Sequence, residues 1–158
     1  MQPRPVRWSA AVLTGVAVVL VDQASKAWID RSAVLVQARV RNPGTLTGAQ
    51  VASPPVLILA ALCTLGVFLA VIGRWALRSG IPPTIPALVV GGLLGNVLDR
   101  ARYGAVRDFI HTPWLIINLA DIAVTAGLVA LGAVAALRHG GLRSALVAQQ
   151  PTEDLARG

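Results

Sequence analysis

The sequence predicts an all-α membrane protein of four transmembrane helices with a small extracytoplasmic β-element. Three observations predict it. Of the 158 residues, 55% are apolar and only 13% are charged, against about 25% charged in a soluble domain. The apolar residues are gathered into four long runs, and a helix needs roughly 20 such residues to cross the hydrocarbon core. The long connector after the first run alternates apolar and polar residues and then carries a turn signal.

The first span is expected over 8–29, with Asp22, Gln23 and Lys26 near its end. A cleaved signal peptide with Arg4 and Arg7 as its basic start is the rival reading. Three further spans make a retained helix the simpler one. The connector 30–55 follows. Its Val34–Val40 stretch alternates like a short strand, and Asn42-Pro43-Gly44 reads as a turn. The second span is expected over 56–73 and contains Cys63, read as a small buried apolar residue. The third is expected over 81–98, with Pro82, Pro83 and Pro86 near its start, where helices tolerate proline. Gly91-x-x-x-Gly95 within it suits close helix packing. The connector 99–113 leads to the fourth span, 114–137, in which Asp121 is the single charge. Residues 1–137 thus form one membrane domain, and 138–158 read as a disordered cytoplasmic tail.

The net charge is +7. Its arginines sit singly or in pairs at the ends of apolar runs, which suits lipid head groups. Nucleic-acid binding would need a clustered basic stripe, so no nucleic-acid partner is expected. Arg4 and Arg7 flank the first span and place both termini in the cytoplasm by the positive-inside rule. The connectors 30–55 and 99–113 then face outward. The expected location is the bacterial cytoplasmic membrane, with the active site near its outer face.

Ionisable groups inside apolar spans cost about 2.5–3.5 kcal/mol each on insertion scales and so usually serve a purpose. Asp22, Lys26, Asp99 and Asp121 all map to the outer ends of their helices. Asn96-Val97-Leu98-Asp99 and Asn118-Leu119-Ala120-Asp121 echo each other as Asn-x-x-Asp. On a helix that spacing places amide and carboxylate on one face. Two carboxyls brought close together share one proton. One then serves as general base toward water and the other as general acid toward a carbonyl. The alternative is structural: the aspartates act as caps, or pair with Arg100 and Arg102. Asp22 and Lys26, one turn apart, are most simply a local ion pair. No Ser–His pairing is evident, and His and Cys are too few for a metal site.

Five ordered segments resemble the bacterial lipoprotein signal peptidases (signal peptidase II). They are Asp22-Gln23-Ala24-Ser25-Lys26, Asn42-Pro43-Gly44, Gly95-Asn96-Val97-Leu98-Asp99-Arg100, Val106-Arg107-Asp108-Phe109-Ile110 and Asn118-Leu119-Ala120-Asp121. The resemblance implies an aspartic endopeptidase without cofactor that removes signal peptides from diacylglyceryl-modified prolipoproteins. It implies Asp99 and Asp121 as the catalytic pair. Asn96, Arg100, Asn118 and Ala120 match residues around that pair, Asp22 one important for the fold, and Asn42 a loop residue near the substrate. Lys26 and Gly44 are counted with these supporting residues. Lipidated prolipoproteins and membrane lipids are the partners expected of a monomer. Thr45-Leu46-Thr47-Gly48 departs from the small and aromatic residues usual after Asn-x-Gly, and Ile117 stands where Phe is frequent. A non-catalytic membrane protein, either a small transporter or proton pathway or a lipoprotein-binding factor, is the competing reading. A proton path needs ionisable groups at several depths, whereas here they gather at one.

Overall fold

The computed structural model describes residues 8–32, 34–35, 39–44 and 52–148, with side chains through Arg138. Four long helices dominate: α1 (Trp8–Arg31), α2 (Pro54–Arg78), α3 (Thr84–Tyr103) and α4 (Leu119–Ala148). Two short antiparallel ladders lie at one end. β1 (Val40–Asn42) pairs with β2 (Val106–Asp108), with Arg41 opposite Arg107. β3 (Ile110–His111) pairs with β4 (Ile116–Ile117).

The burial pattern is inverted relative to a soluble bundle. In α1 the buried residues are Asp22, Lys26 and Ile29, while Val12, Leu13, Leu20 and Trp28 are exposed. Apolar side chains face outward because hydrocarbon, not water, is their solvent. α1, α2 and α4 are each long and apolar enough to cross a membrane. The chain is therefore a multi-pass membrane protein.

α3 is the central helix and packs against the other three. Glycines permit this. A Cβ on Gly92 would lie 2.4 Å from the Ala120 carbonyl oxygen of α4, and one on Gly95 would lie 2.9 Å from the Asp22 carboxylate of α1. At the opposite end Phe68, Ala76, Ile81, Val89 and Leu131 form the apolar core. Within α2, Leu69–Gly73 form a π-helical turn between two α-helical stretches.

Several expected boundaries move. α2 runs on to Arg78 instead of ending at 73. α3 begins at Thr84, after Pro82 and Pro83, and continues past Leu98 to Tyr103. Gly104, with φ +71°, ends it in the left-handed conformation that glycine adopts without strain. α4 begins at Leu119, not at Trp114, because Ile116 and Ile117 are taken by the β3–β4 hairpin. Val34 and Leu35 lie in a turn, 36–38 fall outside the described residues, and the ladder starts only at Val40. The expected disordered tail is helical as far as Ala148, since the alanines and leucines there favour helix strongly enough to carry Gly140-Gly141. Cys63 is exposed on the apolar surface of α2, not buried.

Candidate active site

The first turn of α4 builds the site. Asn118 precedes the helix, and its side-chain oxygen accepts from the Asp121 backbone N–H at 3.0 Å. The Asp121 carboxylate accepts in return from the Asn118 backbone N–H at 3.2 Å. Asn-x-x-Asp is here a reciprocal capping box, not two side chains on one helical face. A third backbone donor, Ala120 N–H, is satisfied from another helix: it donates to Asp22 Oδ1 at 3.0 Å. Ala120 itself is fully buried.

The capping geometry leaves the Asn118 amide free to donate twice, to Asp108 Oδ1 at 2.6 Å and to Asn96 Oδ1 at 3.1 Å. Asn96 in turn donates to Asp121 Oδ1 at 2.8 Å. Asn42 donates to Asp108 Oδ2 at 3.1 Å, and its own oxygen accepts from Gly44 N–H at 3.0 Å, which forms the expected turn. Arg100 donates to the Gly44 carbonyl at 2.9 Å and ties that turn to α3. Asp108 and Asp121 thus sit in one lattice of amides. They also line one cavity of about 210 Å³, together with Asn42, Asn96, Arg100 and Val124.

Asp99 occupies a different lattice, and it is saturated. Its Oδ1 accepts from Arg107 Nη2 at 2.7 Å and Gln23 Nε2 at 3.0 Å. Its Oδ2 accepts from the Arg107 backbone N–H at 3.0 Å and lies 3.1 Å from Lys26 Nζ. Lys26 also bonds Asp22 Oδ2 at 2.7 Å and Asn96 Oδ1 at 3.3 Å. Asp22, Lys26 and Asp99 are buried almost completely. Such a cluster survives because each charge has opposite partners and further hydrogen bonds. The expected Asp22–Lys26 pair is present, but as part of a network that spans α1, α3 and the start of α4. Asp99 does not line the cavity shared by Asp108 and Asp121.

The loop charges feel these surroundings. Burial, the largest influence, pushes the Asp108 carboxyl above the usual carboxylate range, and the nearby charge of Asp121 adds to it. Hydrogen bonds from Asn118 and Asn42 only partly offset this. Burial works against the Arg107 charge, but its bonds to Asp99 and Asp30 outweigh it and raise its pKa.

The model of signal peptidase (SPase) II matches residues 14–137. The chain belongs to the signal peptidase II family. A lipoprotein signal peptidase of Nitrobacter hamburgensis is 35% identical over 148 residues, covering 77% of this chain and 88% of the relative. One of Methylocella silvestris is 31% identical over 151 residues, covering 83% and 85%. A solved bacterial membrane enzyme shares the fold with a TM-score of 0.66 at 24% identity, covering 87% of this chain and 93% of the other. The five segments that resemble signal peptidase II converge on one end of the bundle, linked by the hydrogen bonds above. Residues 45–48, where the sequence departs from signal peptidase II, fall outside the described residues.

Asp99 and Asp121 are the pair the resemblance implies; Gln23, Arg107 and Asp108 stand in two of the resembling segments without a role assigned to them. Alternation in Val106-Arg107-Asp108 was a usable signal. It sends Arg107 and Asp108 to opposite sides of a strand, one toward each lattice. Among the described residues no cluster of three or more His, Cys, Asp or Glu is arranged to hold a metal.

Proposed function

We propose that the chain is an aspartic endopeptidase that removes signal peptides from diacylglyceryl-modified prolipoproteins, with Asp108 and Asp121 as its carboxyl pair. The observation that carries this is the shared cavity: these two carboxyls line it together and are bridged by Asn118. Asp99, the partner expected from the sequence, has all its acceptor capacity engaged by Arg107, Gln23 and Lys26.

The roles divide by surroundings. Asp108, whose proton is favoured by burial and by Asp121, donates a hydrogen bond to the scissile carbonyl. Asp121, held by donors to both oxygens, takes a proton from the attacking water. Water oxygen adds to the carbonyl carbon and Asp108 protonates the developing oxyanion. Collapse of the tetrahedral intermediate breaks the C–N bond: the proton held by Asp121 passes to the leaving amine, and the hydroxyl formed from the oxyanion returns its proton to Asp108 as the carbonyl re-forms. No metal or covalent nucleophile takes part.

Two larger spaces flank the pair. An apolar groove of about 470 Å³ starts at Asp121 and runs along α4 past Ile122, Thr125 and Val129. It suits the apolar signal segment or a lipid chain. A more polar cavity of about 540 Å³ starts at Asp108 and is lined by His111, Thr112 and Trp114. It suits the segment that emerges into water. In this reading α3 is the fourth span, both termini are cytoplasmic and the ladders lie at the outer face of the cytoplasmic membrane. α3 ends in Asp99, Arg100 and Arg102, which lowers its apolar character but puts those charges at the membrane surface.

The test is cleavage of a synthetic diacylglyceryl-modified prolipoprotein by purified wild type, Asp108→Asn and Asp121→Asn. Both substitutions are expected to abolish cleavage while the protein still folds. Cleavage by Asp108→Asn at the wild-type rate would remove it from the pair.

A further inference from the structure

Arg107 has no part in the chemistry just described, yet it makes more polar contacts than any other arginine at this end of the bundle. It is only 6% exposed. Its Nη2 donates to Asp99 of α3 at 2.7 Å and to Gln23 Oε1 of α1 at 2.9 Å. Its Nη1 donates to Asp30 of α1 at 3.1 Å. Its backbone N–H donates to Asp99 at 3.0 Å. Its guanidinium lies 4.4 Å from the centre of the Tyr103 ring of α3.

The strand that carries it is weak on its own. β2 has three residues and, among the described residues, pairs with the three of β1. In that ladder Arg41 stands directly opposite Arg107, and like charges directly across a ladder oppose pairing. The Arg107 clamp on α1 and α3 therefore anchors one side of β2, while Asn118 and Asn42 hold Asp108 on the other. The next residue in the strand is Asp108, and successive side chains point to opposite faces. The lock on the Arg107 side thus contributes to the facing and height of Asp108, together with its bonds from Asn118 and Asn42.

We infer that Arg107 is a positioning residue for Asp108, holding it in register with Asp121 through Asp99, Gln23 and Asp30. This rests on the Asp108–Asp121 pair proposed above. Small displacements of a reacting group are costly: about 1 Å can lower a rate by 10²-fold.

The experiment uses the full chain in lipid nanodiscs with the lipidated prolipoprotein, and reads kcat, KM and thermal unfolding. Arg107→Met should lower kcat by at least about tenfold per folded molecule and leave KM within about twofold, the pattern of a lost transition-state geometry. Arg107→Lys should recover part of kcat, because an ammonium reaches Asp99 but does not fork to Gln23 and Asp30. Asp30→Asn, at the half-exposed end of the clamp, should lower kcat several-fold and keep the fold. If Arg107→Met does not fold, the Lys and Asp30 variants carry the test. Wild-type kcat per folded molecule in Asp30→Asn and in whichever Arg107 variants fold overturns the inference. An inactive Asp108→Asn alongside an unaffected Arg107→Met removes only the positioning role. Full cleavage by Asp108→Asn removes the pair and the clamp with it.

Discussion

Replacing Asp99 by asparagine separates a structural carboxylate from a catalytic one. Asparagine keeps the volume but offers one acceptor oxygen where Asp99 uses two. The amide NH₂ must face either Arg107 Nη2 and Gln23 Nε2, or the Arg107 backbone N–H and Lys26. Two buried donors then lose their acceptor, at about 1–3 kcal/mol each. Breaking a buried ion pair costs about 3–5 kcal/mol when the surviving charge is stranded. Here neither cation is stranded: Lys26 keeps Asp22 at 2.7 Å and Arg107 keeps Asp30 at 3.1 Å. The lower end applies, about 3 kcal/mol. For a chain of this size that lowers Tm by on the order of 10 °C. Cleavage per folded molecule should fall by no more than about tenfold, through the Arg107 clamp. Asp108→Asn should lower Tm less, since only one donor, from Asn42 or Asn118, loses its acceptor at about 1–3 kcal/mol and no ion pair is broken, but should lose 10²-fold or more in kcat, about the scale of a missing general acid. Tryptophan fluorescence on heating, beside the cleavage assay, reads both. An Asp99→Asn protein of unchanged Tm that cleaves nothing would return Asp99 to the catalytic pair.

Gly92→Ala should cost about 1–3 kcal/mol by overpacking, since its Cβ would meet the Ala120 carbonyl oxygen at 2.4 Å. Gly66→Ala, with nothing within 4 Å, should instead gain about 0.5–1 kcal/mol. Denaturant unfolding of the two variants compares them, and equal effects would discredit the packing. Asn118→Ala removes both the helix cap and the bridge to Asp108, so it should lower stability by about 1 kcal/mol and kcat by at least about tenfold; wild-type kcat would show the bridge to be idle. Asp108 is raised from its usual value of 3.8, so the folded state holds its proton more tightly than the unfolded chain does. The stability this confers is complete below pH 3.8 and is lost as pH rises through the raised value. Tm of wild type relative to Asp108→Asn should therefore fall over that interval and then level off; a difference independent of pH would contradict it.

Much of the bundle is legible in the sequence because hydrocarbon-facing helices are written as uninterrupted apolar runs. α1 ends only two residues beyond the expected Ile29. The gathering of Asp22, Lys26, Asp99 and Asp121 at one end follows from counting spans. What could not be read is which carboxylates line one cavity. Asp99 and Asp108 lie at the same end, so depth does not distinguish them; only the side chains around each do. The Asn-x-x-Asp echo misleads because its two copies sit in different places. Asn96 lies within α3 and reaches across to Asp121, whereas Asn118 caps α4. The run from Trp114 looks helical by composition, but Pro113 and the return bond from Thr112 N–H to the Leu115 carbonyl at 2.8 Å turn it into a hairpin.

The π-helical turn at Leu69–Gly73 has a consequence for how this chain tolerates changes in length. A π turn holds one residue more than the α-helical turn it replaces. Phe68 before it and Ala76 after it both face the core. Deleting one residue between them restores a continuous α-helix and keeps both on their present faces. An insertion or deletion at any other point of α2 would rotate one half of the helix by roughly 100° against its neighbours. The turn is thus a slack joint, the one place in α2 where the gene can lose a codon and keep the packing.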